Sequence, residues 1–349
     1  MKYFTGSIFV TVVGIIGAYL WGEKVNPGSG FLCVFIACIL GILEVSLSFD
    51  NAVVNAMKLE KMEKIWQHRF LTWGIAIAVF GMRFLFPLLV VAIFAKLNIL
   101  KVLNIALNDS NQYAHYLHLT HAPIVTFGGA FLLMLFLSYF FNCNKNTHWI
   151  KGVEHCCSHL GNIKGFETII TLLAVLATQQ HVSEENKLSV LISGVVGIIT
   201  YLTIDGVTHW LEVHEEKKAA ELATAAKGGG FIAFMYLELI DASFSLDGVL
   251  GAFALSKDIV IITIGLSIGA MFVRSLTIML VEKKTLSQYI YLEHGAHWAI
   301  GALAIIMFIS TSREVPEVVT GLIGLGFIVT ALLSSLYNNK KLKDNKSDD

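Results

Sequence analysis

Ten stretches of this chain are apolar enough to cross a bilayer as helices, each close to the roughly 20 residues that span about 30 Å of hydrocarbon. They lie near residues 5–22, 28–57, 71–95, 121–141, 166–181, 187–211, 228–256, 258–281, 295–312 and 315–337. Inside lipid a helix satisfies its own backbone, so the expected fold is all-α, a polytopic transmembrane helix bundle of about ten spans. Composition agrees, with 55% of 349 residues hydrophobic, only 15% charged, and a mean hydropathy of +0.68.

Charge in such a chain matters by location. The net charge of −1 gives no reason to expect nucleic acid as a partner; the expected partner is the lipid bilayer. Placing Lys and Arg on alternate sides of the ten spans puts 17 on the side of both termini and 6 on the other, with Arg83 and Arg274 inside spans. The positive-inside rule then predicts cytoplasmic termini and a multi-pass protein of the cytoplasmic (inner) membrane. The first run ends in Leu20-Trp21-Gly22 without a small-x-small cleavage site, so it is expected to remain as a span. Five cysteines without a C-x-x-C pair argue against a disulfide framework and a zinc ribbon. The layout read from these features is a single membrane domain over 1–349. It holds repeat units at 28–141 and 228–312, connecting spans and an Ala/Glu/Lys-rich cytoplasmic helix over 142–227, and a basic tail at 338–349.

The repeat emerges when charged residues inside the spans are aligned. Glu44-x-x-x-Ser48-Phe49-Asp50-Asn51 recurs as Asp241-x-x-x-Ser245-Leu246-Asp247-Gly248. Gly74 precedes Arg83 by nine residues, as Gly265 precedes Arg274. HYLHLTHAPI, with His118 and His121, matches YLEHGAHWAI, with His294 and His297. Units beginning on spans two and seven enter the membrane in opposite directions, giving two inverted three-helix repeats, a layout of secondary transporters whose substrate site sits near the midplane.

Carboxylates within spans are costly unless paired or solvated. Glu44, Asp50, Glu238, Asp241 and Asp247 are therefore candidate metal ligands, with Ser48, Asn51 and Ser245 adding neutral oxygens; the bland alternative is hydrogen-bonding helix glue. Glu44 and Ser48 share a helical face whereas Asp50 does not, so a local break near Asn51 is expected to bring them together. Such oxygens suit a hard divalent cation such as Mn²⁺, Mg²⁺ or Ca²⁺, held as substrate with no tightly bound cofactor. Arg83 and Arg274 are expected as counter-charges beside the acidic segments. Asp50 and Asp247, equivalent in the repeat, are expected to meet at the centre, and displacement of a proton or an arginine by metal makes protons the candidate coupling ion. His118, His121, His294 and His297 mark two vestibules, or are ordinary interfacial histidines. The run Glu154-His155-Cys156-Cys157-Ser158-His159 mixes ligand types, but vicinal cysteines fit a tetrahedral ion poorly.

The segments EVSLSFDN (Glu44 to Asn51) and ELIDASFSLDG (Glu238 to Gly248) resemble the two signature segments of the TerC/Alx family, most closely its longer bacterial branch, within the LysE-type transporter group. That resemblance implies an integral membrane protein linked to manganese efflux, tellurite resistance and metal loading of exported proteins. The function expected is divalent cation transport, Mn²⁺ efflux by alternating access. The alternative is a membrane scaffold for metal loading or tellurite resistance without net transport. An enzyme is not expected, because neither H-E-x-x-H nor G-x-S-x-G occurs.

Overall fold

The computed structural model describes residues 2–60, 62–143, 145, 147–161, 163, 165–221, 234–235, 237–238, 241, 252, 256, 258–283, 289–313 and 315–347. Among these residues the regular elements are all helical. In chain order they are α1 (Thr5–Val25), α2 (Gly30–Leu47), α3 (Phe49–Glu60), α4 (Lys64–Ala76), a π-helical stretch (Ile77–Leu85), α5 (Phe86–Phe94), α6 (Ile99–Asn108), α7 (Ser110–Phe140), α8 (Lys151–Leu160), α9 (Phe166–Gln179), α10 (Glu184–Glu221), α11 (Ile259–Lys283), α12 (Leu292–Ser310) and α13 (Glu317–Ser347). Six of them, α1, α7, α10, α11, α12 and α13, are long and apolar enough to cross a bilayer.

The difference from ten has physical causes. Residues 28–57 form two helices, because α2 ends at Leu47 and Ser48 adopts φ −95° and ψ 17° before α3 begins. The break thus falls three residues before Asn51. Ser48 stabilises it, its N–H bonding Glu44 O at 2.9 Å and its Oγ donating to Glu44 Oε1 at 3.1 Å. Residues 71–94 stay helical throughout, but α4 passes into the π-helix that carries Arg83 before α5 resumes the α-helical register. Pro87 follows four residues later and has no N–H to offer the Arg83 carbonyl, whose oxygen instead lies 3.5 Å from Thr263 Oγ1 on α11. The fifth run yields α9, whose 14 residues rise about 21 Å, short of a full bilayer core. The seventh run lies mostly outside the described residues.

Two helices are longer than their apolar runs. The sixth run and the polar segment after it form one helix, α10, to Glu221, and the last run continues through most of the basic tail to Ser347.

Burial separates centre from periphery. In α7 and α11 the apolar window is 78% and 72% buried, against 17% in α1 and 22% in α13, whose outward side chains suit lipid. α2 packs along α11 and α7 along α12, so helices from residues 28–141 meet helices from residues 258–312. Glycines permit the α2–α11 approach. A Cβ on Gly265 would lie 2.6 Å from Leu40 Cβ, and one on Gly269 would strike Glu44 Cβ. At one end α1 is fastened to α11 by Ser7 Oγ, 2.7 Å from Met271 O, and at the other by Trp21 Nε1 donating to Asp258 Oδ2 at 2.7 Å.

Candidate functional site: a buried ion-pair cluster

The helix break and the π-helix aim at one another. Glu44, on the last turn of α2, is 2% exposed, and Arg83 on the π-helix is equally buried. Arg83 Nη2 contacts Glu44 Oε1 at 2.5 Å, and Arg83 Nη1 lies 3.8 Å from Asp241 Oδ2. One guanidinium therefore sits between carboxylates from both acidic segments. Asn51, turned inward by the break at Ser48, donates from Nδ2 to Asp241 Oδ1 at 2.6 Å and accepts from Asn55 Nδ2 at 2.9 Å. Glu44, Ser48, Asn51, Arg83 and Asp241 thus form one bonded network, in a region where an unpaired charge would be prohibitively costly.

Glu238 and Arg274 form its second part. Both are buried, and Arg274 interacts electrostatically with Glu238 and Asp241. The guanidinium carbon of Arg274 lies 4.4 Å from the centroid of the Phe70 ring on α4. Its Nε and Nη2, like Glu238 Oε1, find no hydrogen-bond partner among the described residues. Arg274 Nη2 and Glu238 Oε1 converge on Gly74, where a Cβ would collide with both. The two arginines are accordingly unequal. Arg83 is locked into an ion pair, whereas Arg274 rests on an aromatic face with two of its nitrogens unpartnered among the described residues.

Sequence reasoning singled out Gly74 only as a repeat marker, and passed over Asn55, Phe70 and Gly269. The Asn51-x-x-x-Asn55 spacing places both amides on one helical face and was the available signal for Asn55. Nothing local marks Phe70. The side chain of Asp50 and the whole of Ser245, Asp247 and Gly248 lie outside the described residues, so the expected meeting of the two aspartates falls there. Among the described residues no three His, Cys, Asp or Glu side chains are drawn together as metal ligands.

The histidines lie apart from this cluster. His118 is exposed and His121 half-buried in the first half of α7. His294 and His297 are buried beside the far end of α7, where the His297 ring stacks on Tyr139 at 3.5 Å. About 20 residues of helix separate the two pairs along α7, roughly 30 Å. His294 Nε2 lies 2.8 Å from Thr147 O, and Glu154 accepts from Trp149 N at 2.9 Å and from Trp298 Nε1 at 3.1 Å. The connector after α7 is therefore fastened to α12. The five cysteines are present as thiols, and Cys143 Sγ donates to Ser158 O.

An all-helical membrane protein with a cluster of opposed charges buried between two acidic segments is the class that fold and site define. Within that class the chain belongs to the family described as protein of unknown function (DUF475), which it matches over residues 49–342. No curated protein and no solved structure matches it.

Proposed function

We propose that this chain transports a divalent metal cation, Mn²⁺ foremost, across the bacterial cytoplasmic membrane, with both termini inside and the two acidic segments as its binding elements. The observation that carries the reading is the position of Arg83 between Glu44 and Asp241, buried at the meeting of both segments. Helix glue needs only neutral hydrogen bonds, whereas this cluster holds three carboxylates and two guanidinium groups out of water. The carboxylate, amide and hydroxyl oxygens of Glu44, Asp241, Asn51 and Ser48 are the donors a hard cation takes. A metal entering between the carboxylates takes over the role of Arg83 as counter-charge. Because Arg83 links elements from both halves, its release couples metal binding to their relative movement, which is what alternating access needs.

The test is flux into proteoliposomes over a panel of divalent ions. Wild-type protein is expected to move Mn²⁺, and Glu44→Gln, Asp241→Asn, Asp50→Asn and Asp247→Asn to lose that flux while still inserting. Wild-type flux in the Glu44 and Asp241 variants would remove these segments as the binding elements. Absence of flux for every ion in the wild type, with metal still bound, would favour the accessory role in metal loading.

A further inference from the structure

We propose that an apolar plug closes the ion-pair cluster toward the α3–α4 turn and serves as a gate, with Phe70 as its closing residue. The inference deepens the transport reading and rests on it. The plug is built by the same helices that build the cluster. On α3, Asn51, Asn55 and Leu59 follow one another at four-residue spacing, so the face that begins in the cluster ends in Leu59. On α4, Gly74, beside Arg274 and Glu238, is preceded at the same spacing by Phe70 and Trp66. In the second acidic segment residues 234, 237, 238 and 241 are helical, which places Phe234 and Leu237 one turn from Glu238 and Asp241 on a shared face. On α11, Val281 stands two turns beyond Arg274. Leu59, Phe70, Phe234 and Leu237 are buried against one another, and Trp66 and Val281 pack on them.

From Asn51 to Leu59, and from Gly74 to Trp66, the helices rise about 12 Å, so the plug reaches that far from the cluster toward the turn. Beyond it the chain is polar, with Lys58 and Glu60 ending α3, Glu63 and Lys64 opening α4, and the Arg69 guanidinium 4.5 Å from the centroid of Trp66. Gln67 Nε2 fastens the turn, donating to Leu59 O and Met62 O at 2.8 Å each. A hydrated cation does not cross a packed apolar layer, because nothing there replaces the water it sheds, and constrictions of this kind shut ion paths by excluding water. Phe70 belongs to plug and cluster at once. Its ring carries the guanidinium carbon of Arg274 at 4.4 Å and meets the Phe234 ring at 6.1 Å and 79°, and Phe234 in turn packs on Trp66 at 6.0 Å. Arg274 is also drawn to Glu238 and Asp241, so a change of charge in the cluster reaches the gate through this one ring.

The test reads accessibility instead of flux, so gate and transport can fail separately. Full-length protein with its five cysteines replaced by alanine receives Thr277→Cys, a buried position on α11 between Arg274 and Val281 whose Oγ1 lies 3.4 Å from Ala52 O on α3. Glu63→Cys, at an exposed position in the α3–α4 turn, is the reference. Membrane vesicles of either orientation are treated with a membrane-impermeant cationic thiosulfonate, and the modification rate is followed by mass. Glu63→Cys is expected to react fast from one face, and Thr277→Cys slowly from both. Adding Phe70→Ala is expected to speed modification of Thr277→Cys about tenfold, from the Glu63 face alone, as a loss of roughly 1.4 kcal/mol in the closed state would do. Phe70→Leu, which keeps an apolar side chain in the layer, is expected to restore protection, a rescue that general unfolding would not show. Fast modification of Thr277→Cys with Phe70 in place, no acceleration by Phe70→Ala, or acceleration from the opposite face would each overturn the gate. The expected labelling pattern in a protein that moves no divalent ion would uphold the barrier and count against transport alone.

Discussion

Replacing Arg83 with methionine keeps the length and burial of the side chain and removes its charge, leaving Glu44 without its ion-pair partner and Asp241 with Arg274 as its remaining counter-charge. Near 4 Å and an effective dielectric of about 20, each guanidinium–carboxylate attraction is worth about 4 kcal/mol before the cost of desolvation. Removing one partner from a buried pair typically costs about 3–5 kcal/mol. Glu44 loses its partner at 2.5 Å outright and Asp241 loses a second, weaker attraction at 3.8 Å, so a cost within that range is expected. Glu44→Gln is milder, roughly 1–3 kcal/mol, because the amide still accepts a hydrogen bond and Asp241 still neutralises Arg83. The double variant loses the pair once rather than twice, so a thermodynamic cycle should yield a coupling of about 2–3 kcal/mol. Reversible unfolding in mixed micelles, followed by tryptophan fluorescence at fixed lipid composition, reads these differences. Mn²⁺ gives the second half of the test. At about 100 times its dissociation constant, a ligand specific to the folded state adds about 2.7 kcal/mol. Arg83→Met is expected to gain more from Mn²⁺ than wild type does, because in wild type the ion must first displace the guanidinium. Additivity of the two single changes to within about 0.5 kcal/mol would refute the ion pair. Equal stabilisation of both proteins by Mn²⁺ would refute displacement.

Gly74→Ala should cost about 1–3 kcal/mol through collision with Arg274 and Glu238, outweighing the gain of up to about 1 kcal/mol in helix propensity. Gly206→Ala on α10, where a Cβ meets nothing within 4 Å, should show only the gain, and equal effects at both positions would rule out the packing argument. Lys145, in the connector after α7, sits with its ammonium on the Tyr139 ring, and burial pulls its pKa down to about 8 against a smaller opposing pull from Glu154 and Glu293. Between pH 8 and 10.5 the unfolded lysine still holds the proton that the folded one has released, so stability contributed through this group rises with pH across that window. Thermal unfolding of wild type and Lys145→Met from pH 7 to 10.5 should show the advantage of the variant shrinking as pH rises; a constant difference would contradict it.

The sequence by itself determined that this chain is helical and membrane-embedded, because runs such as 258–281 and 315–337 are long enough to span lipid and a lipid-buried backbone must bond within its own helix. It also determined which residues carry the cost of burial, since Glu44, Arg83, Asp241 and Arg274 stand out as charges within apolar runs. Hydropathy counts side chains and is blind to backbone register, and for that reason it recorded neither the break inside residues 28–57 nor the change of register inside 71–95. Ser48 breaks the first, and a π-helical stretch ahead of Pro87 occupies the second. Those two irregularities rotate Asn51 and Arg83 toward Asp241, a residue 190 positions from Asn51, and no local pattern records that approach. The inequality of the arginines was equally hidden. Gly74 and Gly265 hold matching places in the sequence, yet Gly265 admits the backbone of α2 whereas Gly74 admits the charged tips of Arg274 and Glu238. Only tertiary packing decided which neighbour fills the space a missing side chain leaves.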